Sequence, residues 1–352
     1  MKKKVAVAMS GGVDSSLCAA LLQEQGYEVL GITMQLSDDS REMNGVSSAA
    51  TDARRVADFL GIEHVVADFR TLFSNRVVDY FLTEYLAART PNPCVICNRF
   101  LKFGALFAFA KEKGADFLAT GHYVRVEKEE DGSFALKKGR DEKKDQSYVL
   151  YRLPREILSH ILFPLGSYRK EETRALARKL SLPVANKAES QEICFVPEDD
   201  YKAYLSQHRP NRFHAGDIID MQGKILGQHR GLPFYTIGQR KGLGIAAAHP
   251  LYVIALDEAN NRVIVGKNEE LYASSLFASD ANWLMEEPTQ EISVHAKIRY
   301  GSREVQANVL PLKDRAVKVS FLEPQRAVTP GQSVVFYSGE RLVGGATIES
   351  RT

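Results

Sequence analysis

Three stretches of this chain hold the residue types that chemistry needs. They are Ser10-Gly11-Gly12-Val13-Asp14-Ser15-Ser16, the pair Cys94-Val95-Ile96-Cys97, and Cys194 within Glu189-Ser190-Gln191-Glu192-Ile193-Cys194-Phe195. The first follows an apolar run, Val5 to Met9, and precedes a helical pattern through Leu17, Ala20, Leu21 and Leu22. Two glycines in such a turn permit close backbone approaches, and the N–H groups opening the helix converge on one point. That geometry suits phosphate or pyrophosphate. The string has neither the Gly-Lys-Ser/Thr of a Walker loop nor the spacing of a dinucleotide fingerprint. Ser10, Ser15 and Ser16 add hydroxyl donors. Asp14, an acid among phosphates, makes sense if Mg2+ lies between them.

A lone Cys-x-x-Cys has several meanings. A zinc half-site needs two more ligands, which only Cys194 or a histidine could supply. A thioredoxin-like pair sits in the wrong context beside a phosphate loop. A redox or sulfur-carrying role needs a thiolate, and Arg99 and Lys102 follow Cys97 just before an expected helix. Simple burial of both thiols is the remaining reading. Cys194, between Ile193 and Phe195, reads in isolation as a core residue. Cys18, within the first helix, reads as packing. His64 opens a core strand and reads as structural, whereas His122 follows Gly121 at a strand end and is a candidate for function.

The elements that position these residues alternate. Strands are expected at Val5–Ala8, Val29–Met34, His64–Ala67 and Phe117–Thr120. Helices are expected at Ala49–Leu60, Leu72–Ala88 and Leu101–Lys113. This predicts a doubly wound parallel sheet, with ligands beyond the carboxyl ends of its strands. The Ser10–Ser16 loop, Met34 and Thr120-Gly121-His122-Tyr123 converge there. A hairpin turning at Asp131-Gly132 follows, then the basic stretch Lys137 to Gln146, a basic helix from Arg169 to Leu180 and a helix from Asp199 to Gln207. From about Phe213 the pattern becomes short β runs, in two small units divided near Tyr272.

The chain has 352 residues, enough for two or three cores, with a net charge of only +2. A nucleic-acid partner would therefore have to be held by local basic clusters. The apolar run after Met1-Lys2-Lys3-Lys4 is too short for a secretion signal, and no stretch reads as a membrane span. Four cysteines are too few for a disulfide framework, so a cytoplasmic protein is expected.

Together these motifs resemble the tRNA-specific 2-thiouridylases, the MnmA family of the PP-loop ATP pyrophosphatase superfamily. Ser10 to Ser16 matches the family's ATP loop. Arg89-Thr90-Pro91-Asn92-Pro93 through Cys97-Asn98 and Lys102-Phe103 matches its first cysteine motif, and Glu189 to Phe195 its second. Thr120 to Tyr123, Lys144-Asp145-Gln146-Ser147-Tyr148, Gly238 to Gly244 and Arg299-Tyr300 match further segments in order. The resemblance implies an adenine nucleotide α-hydrolase-like domain at 1–205, a small mainly-β domain at 206–271 and a β-barrel at 272–352. It implies that ATP binds at Ala8, Met9, Ser10, Gly11, Gly12, Val13, Asp14, Ser15, Met34 and Gly121. tRNA would meet Asn92, Pro93, Cys94, His122, Lys144, Asp145, Gln146, Arg299, Tyr300 and Gln332.

The implied reaction is adenylation of the C2 oxygen of the wobble uridine in tRNAs for Lys, Glu and Gln. Cys194 then delivers sulfur as a persulfide and Cys97 acts as the partner nucleophile. A cysteine desulfurase or sulfur-relay protein is the implied donor, and a monomer is the simplest state. Many family members have Asp where Cys94 stands. Either this thiol takes over acid–base work, or another group does, or Cys94, Cys97 and Cys194 hold a 4Fe-4S cluster, the alternative sulfur route. Two competitors are an amidotransferase-type or argininosuccinate-type PP-loop synthetase, which needs no paired thiols, and a tRNA-binding protein with a vestigial ATP site.

Overall fold

The structure, a computed structural model, describes residues 2–37, 48–189 and 193–352. Ser190, Gln191 and Glu192 of the second cysteine motif lie outside the described residues.

The first unit is built on five parallel strands. These are β1 (Lys4–Ala8), β2 (Glu28–Gln35), β3 (Glu63–Asp68), β4 (Phe117–Ala119) and, after the hairpin β5 (Val124–Lys128) and β6 (Phe134–Lys138), β7 (Ile161–Leu162). Their order is β3-β2-β1-β4-β7. Successive side chains of β1 point to opposite faces. Val5 and Val7 pack with Cys18, Ala19 and Leu22 of α1 (Val13–Glu24) and Ala53 and Val56 of α2 (Ser48–Leu60). Ala6 packs instead with Phe103, Leu106 and Ala110 across the sheet. Both faces are covered, so the sheet is doubly wound as expected. The order reverses between β1 and β4, which sets the ligand crevice beyond those two strands.

Two helices differ from expectation. α3 runs over 70–86 and α4 over Pro93–Glu112, eight residues earlier than the apolar pattern suggested. Pro93 occupies the first helical turn, where its missing N–H costs nothing. The Cys-x-x-Cys pair is therefore on the helix, not in a loop ahead of it. α4 has a wide π-type stretch at Asn98–Ala105, where Leu106 N–H donates to the Leu101 carbonyl five residues back. Gly104 permits it: a Cβ there would stand 2.9 Å from the Arg99 carbonyl oxygen. At 20 residues and a hydropathy of 1.3, α4 is also long and apolar enough to cross a membrane, against the expectation that no stretch was. Half of that window is buried within the fold, where Leu101, Phe103 and Leu106 are core residues.

The later units are α5 (Lys170–Lys179), α6 (Tyr201–His208) and ten strands. α6 is capped by Asp200, whose carboxylate accepts from Lys202 N and Ala203 N. Strands β8 (Gly216–Ile219), β9 (Ile225–His229), β10 (Tyr252–Asp257) and β11 (Arg262–Gly266) form a small sheet in the order β10-β11-β8-β9. The chain then enters β12 (Tyr272–Trp283), β13 (Ile292–Lys297), β14 (Val305–Pro311), β15 (Val317–Arg326), β16 (Ser333–Ser338) and β17 (Arg341–Arg351). These six run β12-β15-β14-β13-β16-β17, and β12 pairs with β17 to close the barrel. The β5–β6 hairpin, made early in the chain, joins the barrel sheet through Lys137 opposite Arg341.

The barrel is locked to α4 by charge. Asp280, in a bulge of β12, accepts from Arg99 (3.1 Å), Arg152 (2.9 Å) and Arg315 (2.9 Å). Arg152 is nearly buried, so losing its partner leaves a desolvated cation. Asp280→Asn keeps a residue that tolerates the positive φ of 51° there. It should lower stability by about 1–2 kcal/mol, a value reduced from the buried-pair range because Asp280 is partly exposed. A urea titration checks this.

Candidate active site

The nucleotide loop is held from three sides. Thr33 Oγ1 donates to the Met9 carbonyl (2.8 Å) and accepts from His64 Nε2 (2.8 Å), which gives His64 the structural role expected of it. Ser16 Oγ donates to Gly12 O (2.8 Å), and Ser15 Oγ accepts from Ser10 N (3.1 Å). The serine hydroxyls therefore shape the loop. Lys187 Nζ donates to Gly11 O (3.1 Å) and to Asp52 (2.6 Å). Gly11 has φ +67°, and a Cβ on it would stand 2.5 Å from Ala49 O. Gly121 approaches from β4, where a Cβ would stand 3.0 Å from Ser15 N. Of the strand-end segments expected to converge, Gly121 meets the loop, whereas Met34 packs on the side of the Cys97 cluster.

Asp14 is held by a cation and a phenol. Both its carboxylate oxygens accept from Lys170 Nζ (2.8 and 2.7 Å), and Oδ1 also accepts from the Tyr123 hydroxyl (2.9 Å). No group of three His, Cys, Asp or Glu able to hold a metal ion occurs among the described residues. The same finding bears on Cys94, Cys97 and Cys194: they are not grouped as cluster ligands.

The thiols meet by a different route. Cys97 is buried with Phe73, Val77, Ile96 and Leu101, and Phe195 packs onto this cluster. The Phe195 ring meets Phe73 at 5.5 Å and Phe81 at 5.2 Å, edge to face. Cys194, beside it, is carried to α4 on that anchor while its own side chain stays exposed. All four cysteines are free thiols. Burial pushes the Cys97 thiol up to about 11, Lys102 pulls it down, and Cys194 and Cys94 add smaller increases. Desolvation also raises Cys94 and Cys194, although each shows an exposed edge, and Lys102 opposes the rise at both. His122 is buried with Nδ1 2.7 Å from Thr120 Oγ1. Desolvation first, then Lys102, keeps it neutral.

The π-type stretch explains the reach of Lys102. On a regular helix a residue five positions after Cys97 points about 140° away. In a turn closed by i to i+5 bonds that offset narrows. No ion pair or hydrogen bond holds the Lys102 ammonium among the described residues. Lys102→Met should slow alkylation of Cys97 at fixed pH by about three- to tenfold, since the charge that pulls the thiol down is lost. The iodoacetamide rate against pH reads the shift.

The remaining expected residues fall into two sets. Tyr300 lies over the Tyr148 ring (6.1 Å) and is raised by burial, then Asp145, then Cys94. The barrel thus brings Tyr300 to the cysteine helix, which Asn92 and Pro93 open. Arg299 donates to the Ala327 carbonyl, and Gln332 Nε2 to Thr90 O (2.9 Å). Asp145 accepts from Gly139 N (2.9 Å) and Ser147 Oγ (2.7 Å), and Gln146 Oε1 from Tyr123 N (2.9 Å). Lys144 pairs with Glu189 (2.7 Å). Within the basic stretch Lys137 faces Glu127, Lys138 faces Glu304 and Arg140 faces Glu172. Arg174 pairs with Glu189, whereas Arg240 and Lys241 stay exposed with unpaired side chains among the described residues. Sequence reasoning gave no role to Lys170, Lys187 or Asp280. A lysine in Lys170-Glu171-Glu172-Thr173 looks like any solvated helix start.

Comparison with known proteins gives the same frame. Residues 3–198 match the tRNA methyl transferase HUP domain family, 202–267 the tRNA methyl transferase PRC-barrel domain and 273–348 the aminomethyltransferase beta-barrel domain. A protein of Carboxydothermus hydrogenoformans named tRNA-specific 2-thiouridylase MnmA is 51% identical over 99% of this chain and 98% of its own. A Caldanaerobacter subterraneus protein named tRNA-specific 2-thiouridylase MnmA 1 is 51% identical over 100% and 99%. One from Moorella thermoacetica, of the same name without the numeral, is 52% identical over 98% and 99%. With half its residues shared along its whole length, the chain belongs to the MnmA family of tRNA-specific 2-thiouridylases.

Proposed function

We propose that this protein is an ATP-dependent sulfurtransferase that converts the C2 carbonyl of the wobble uridine of tRNA to a thiocarbonyl. The reading is supported by two contacts: Gly121, after β4, lies against the Ser10–Ser16 loop, and Phe195 seats the Cys194 segment on the helix that carries Cys97. Ala8 to Ser15, with Met34 and Gly121, hold ATP, and Mg2+ enters as its counter-ion rather than in a protein cage. The uridine C2 oxygen attacks the α-phosphate and pyrophosphate leaves. The terminal sulfur of a Cys194 persulfide attacks C2, and AMP departs with the former carbonyl oxygen. The Cys97 thiolate attacks Cys194 Sγ. The S–S bond breaks with its electrons passing to the sulfur now on C2, leaving 2-thiouridine and a Cys97–Cys194 disulfide. A thiol reductant restores the dithiol, and a cysteine desulfurase or relay protein reloads Cys194.

Neutral His122, and the Cys94 thiol in the first turn of α4, are assigned the exchange of protons at the edge of the base. Asn92, Pro93, Arg299, Tyr300 and Gln332 frame the entry. Lys144, Asp145 and Gln146 meet the tRNA backbone, with Arg240 and Lys241 offering unpaired cations to phosphate. We take the units as 1–205, 206–271 and 272–352, the enzyme as a cytoplasmic monomer, and its substrates as tRNAs for Lys, Glu and Gln.

The test is nucleoside mass spectrometry after incubation with ATP, Mg2+, a desulfurase with cysteine, reductant and unmodified tRNA transcript. Formation of 2-thiouridine that needs ATP and Cys194 is the expected result. AMP formed without thiolation overturns the sulfur route, and neither product overturns the function.

A further inference from the structure

Three stretches with separate expected duties meet at one ion cluster. Lys170 Nζ, at the start of α5, is nearly buried between Asp14 of the nucleotide loop (2.8 and 2.7 Å) and Glu189 Oε1 (3.2 Å). Glu189 stands five positions before Cys194. It also accepts from Lys144 (2.7 Å) in the tRNA-facing stretch and from Arg174 (3.2 Å). The Tyr123 ring lies 5.4 Å from the Lys170 ammonium, and its hydroxyl links Asp14 to Thr173 (2.8 Å) of α5. Two carboxylates thus share three cations, and only Lys170 touches both.

We infer that Lys170 is a positioning residue that ties the nucleotide loop to the Cys194 segment, so that sulfur is delivered only at an adenylated base. The inference rests on the thiouridylase reading above and deepens it. A bound polyphosphate over Gly11 to Ser16 competes with Asp14 for the Lys170 ammonium, and a tRNA phosphate competes with Glu189 for Lys144. Each ligand therefore alters the hold on Glu189, and through it the start of the Cys194 segment. Each half stands without the link. The loop keeps its bonds from Thr33, Ser16 and Lys187, and Asp14 keeps the Tyr123 hydroxyl. Glu189 keeps Lys144 and Arg174.

The experiment measures AMP and 2-thiouridine in the same reaction, with full-length protein, ATP, unmodified tRNA and a desulfurase with cysteine. Wild type should form the two in near-equal amounts. Lys170→Met should form AMP in excess, raising the ratio about tenfold, because activation continues, delivery fails and water hydrolyses the stranded adenylate to uridine and AMP. Lys170→Arg keeps the charge and should restore most of the coupling. Glu189→Gln, an isosteric change at a partly exposed position, should raise the ratio too and serves if Lys170→Met does not fold. A merely structural role would lower both products together; a ratio unchanged in both variants overturns the inference and leaves the function standing. Wild type that forms no 2-thiouridine overturns both.

Discussion

Cys194→Ser should abolish 2-thiouridine formation, by at least about a thousandfold, while tRNA-dependent pyrophosphate release in the first turnover stays within about threefold of wild type. The separation follows from placement. Cys194 is exposed, and the anchoring is done by its neighbours: Phe195 packs on Phe73 and Phe81, and Ile193 lies against the Phe81 cluster. Exchanging Sγ for Oγ removes the sulfur carrier without disturbing that anchor or the nucleotide loop. Cys97→Ser should fail differently. The persulfide can still attack C2, but no thiolate resolves the product, so tRNA should accumulate as a covalent adduct on Cys194. A gel shift reversed by dithiothreitol detects it. An adduct with Cys97→Ser and none with Cys194→Ser assigns the carrier and the resolving thiol independently of turnover.

Gly11→Ala should cut tRNA-dependent AMP formation by about a hundredfold or more, because displaced donors lose their alignment with the phosphates. At φ +67° an alanine costs about 1–2 kcal/mol from backbone strain alone. Its Cβ would also press to 2.5 Å on Ala49 O and 3.0 Å on Asp52 Cβ. These are backbone and first side-chain atoms of α2, so relief requires moving the loop or the helix. The Gly11 carbonyl would also be turned from Lys187. A thermal melt separates the two effects: a drop of a few degrees with AMP formation nearly lost places the damage in the loop.

The central sheet was legible because apolar strands and helices alternate at clear periods, and the loop and cysteine motifs lie at their ends. The start of α4 was not. Pro91-Asn92-Pro93 reads as a breaker, and only the fold shows Pro93 as the first helical residue. The π-type stretch was equally hidden, since no periodicity marks it and Gly104 reads as a mild helix defect. Arg299, Tyr300 and Gln332 came from the resemblance to a family, because nothing local in a barrel turn points to a thiol far away in sequence. Lys170 and Asp280 were invisible for another reason. A charge looks the same in sequence whether solvated or buried against a partner, and pairing is a property of the assembled units.

The hairpin held by the last strand has a consequence for synthesis. Lys137 of β6 pairs with Arg341, Thr90 N donates to Pro330 O, and Arg89 pairs with Glu349. The ribosome makes the nucleotide loop and the cysteine helix first, yet the partners that fix their surroundings are made last. A nascent or prematurely ended chain therefore carries every reactive residue but lacks the latch on α4. Long-range pairing of this kind folds slowly and only on a finished chain. Topology thus makes the setting of the cysteine helix depend on segments made after it: Asp280 of β12 and Glu349 of β17 reach Arg99 and Arg89 only once those strands have been synthesised.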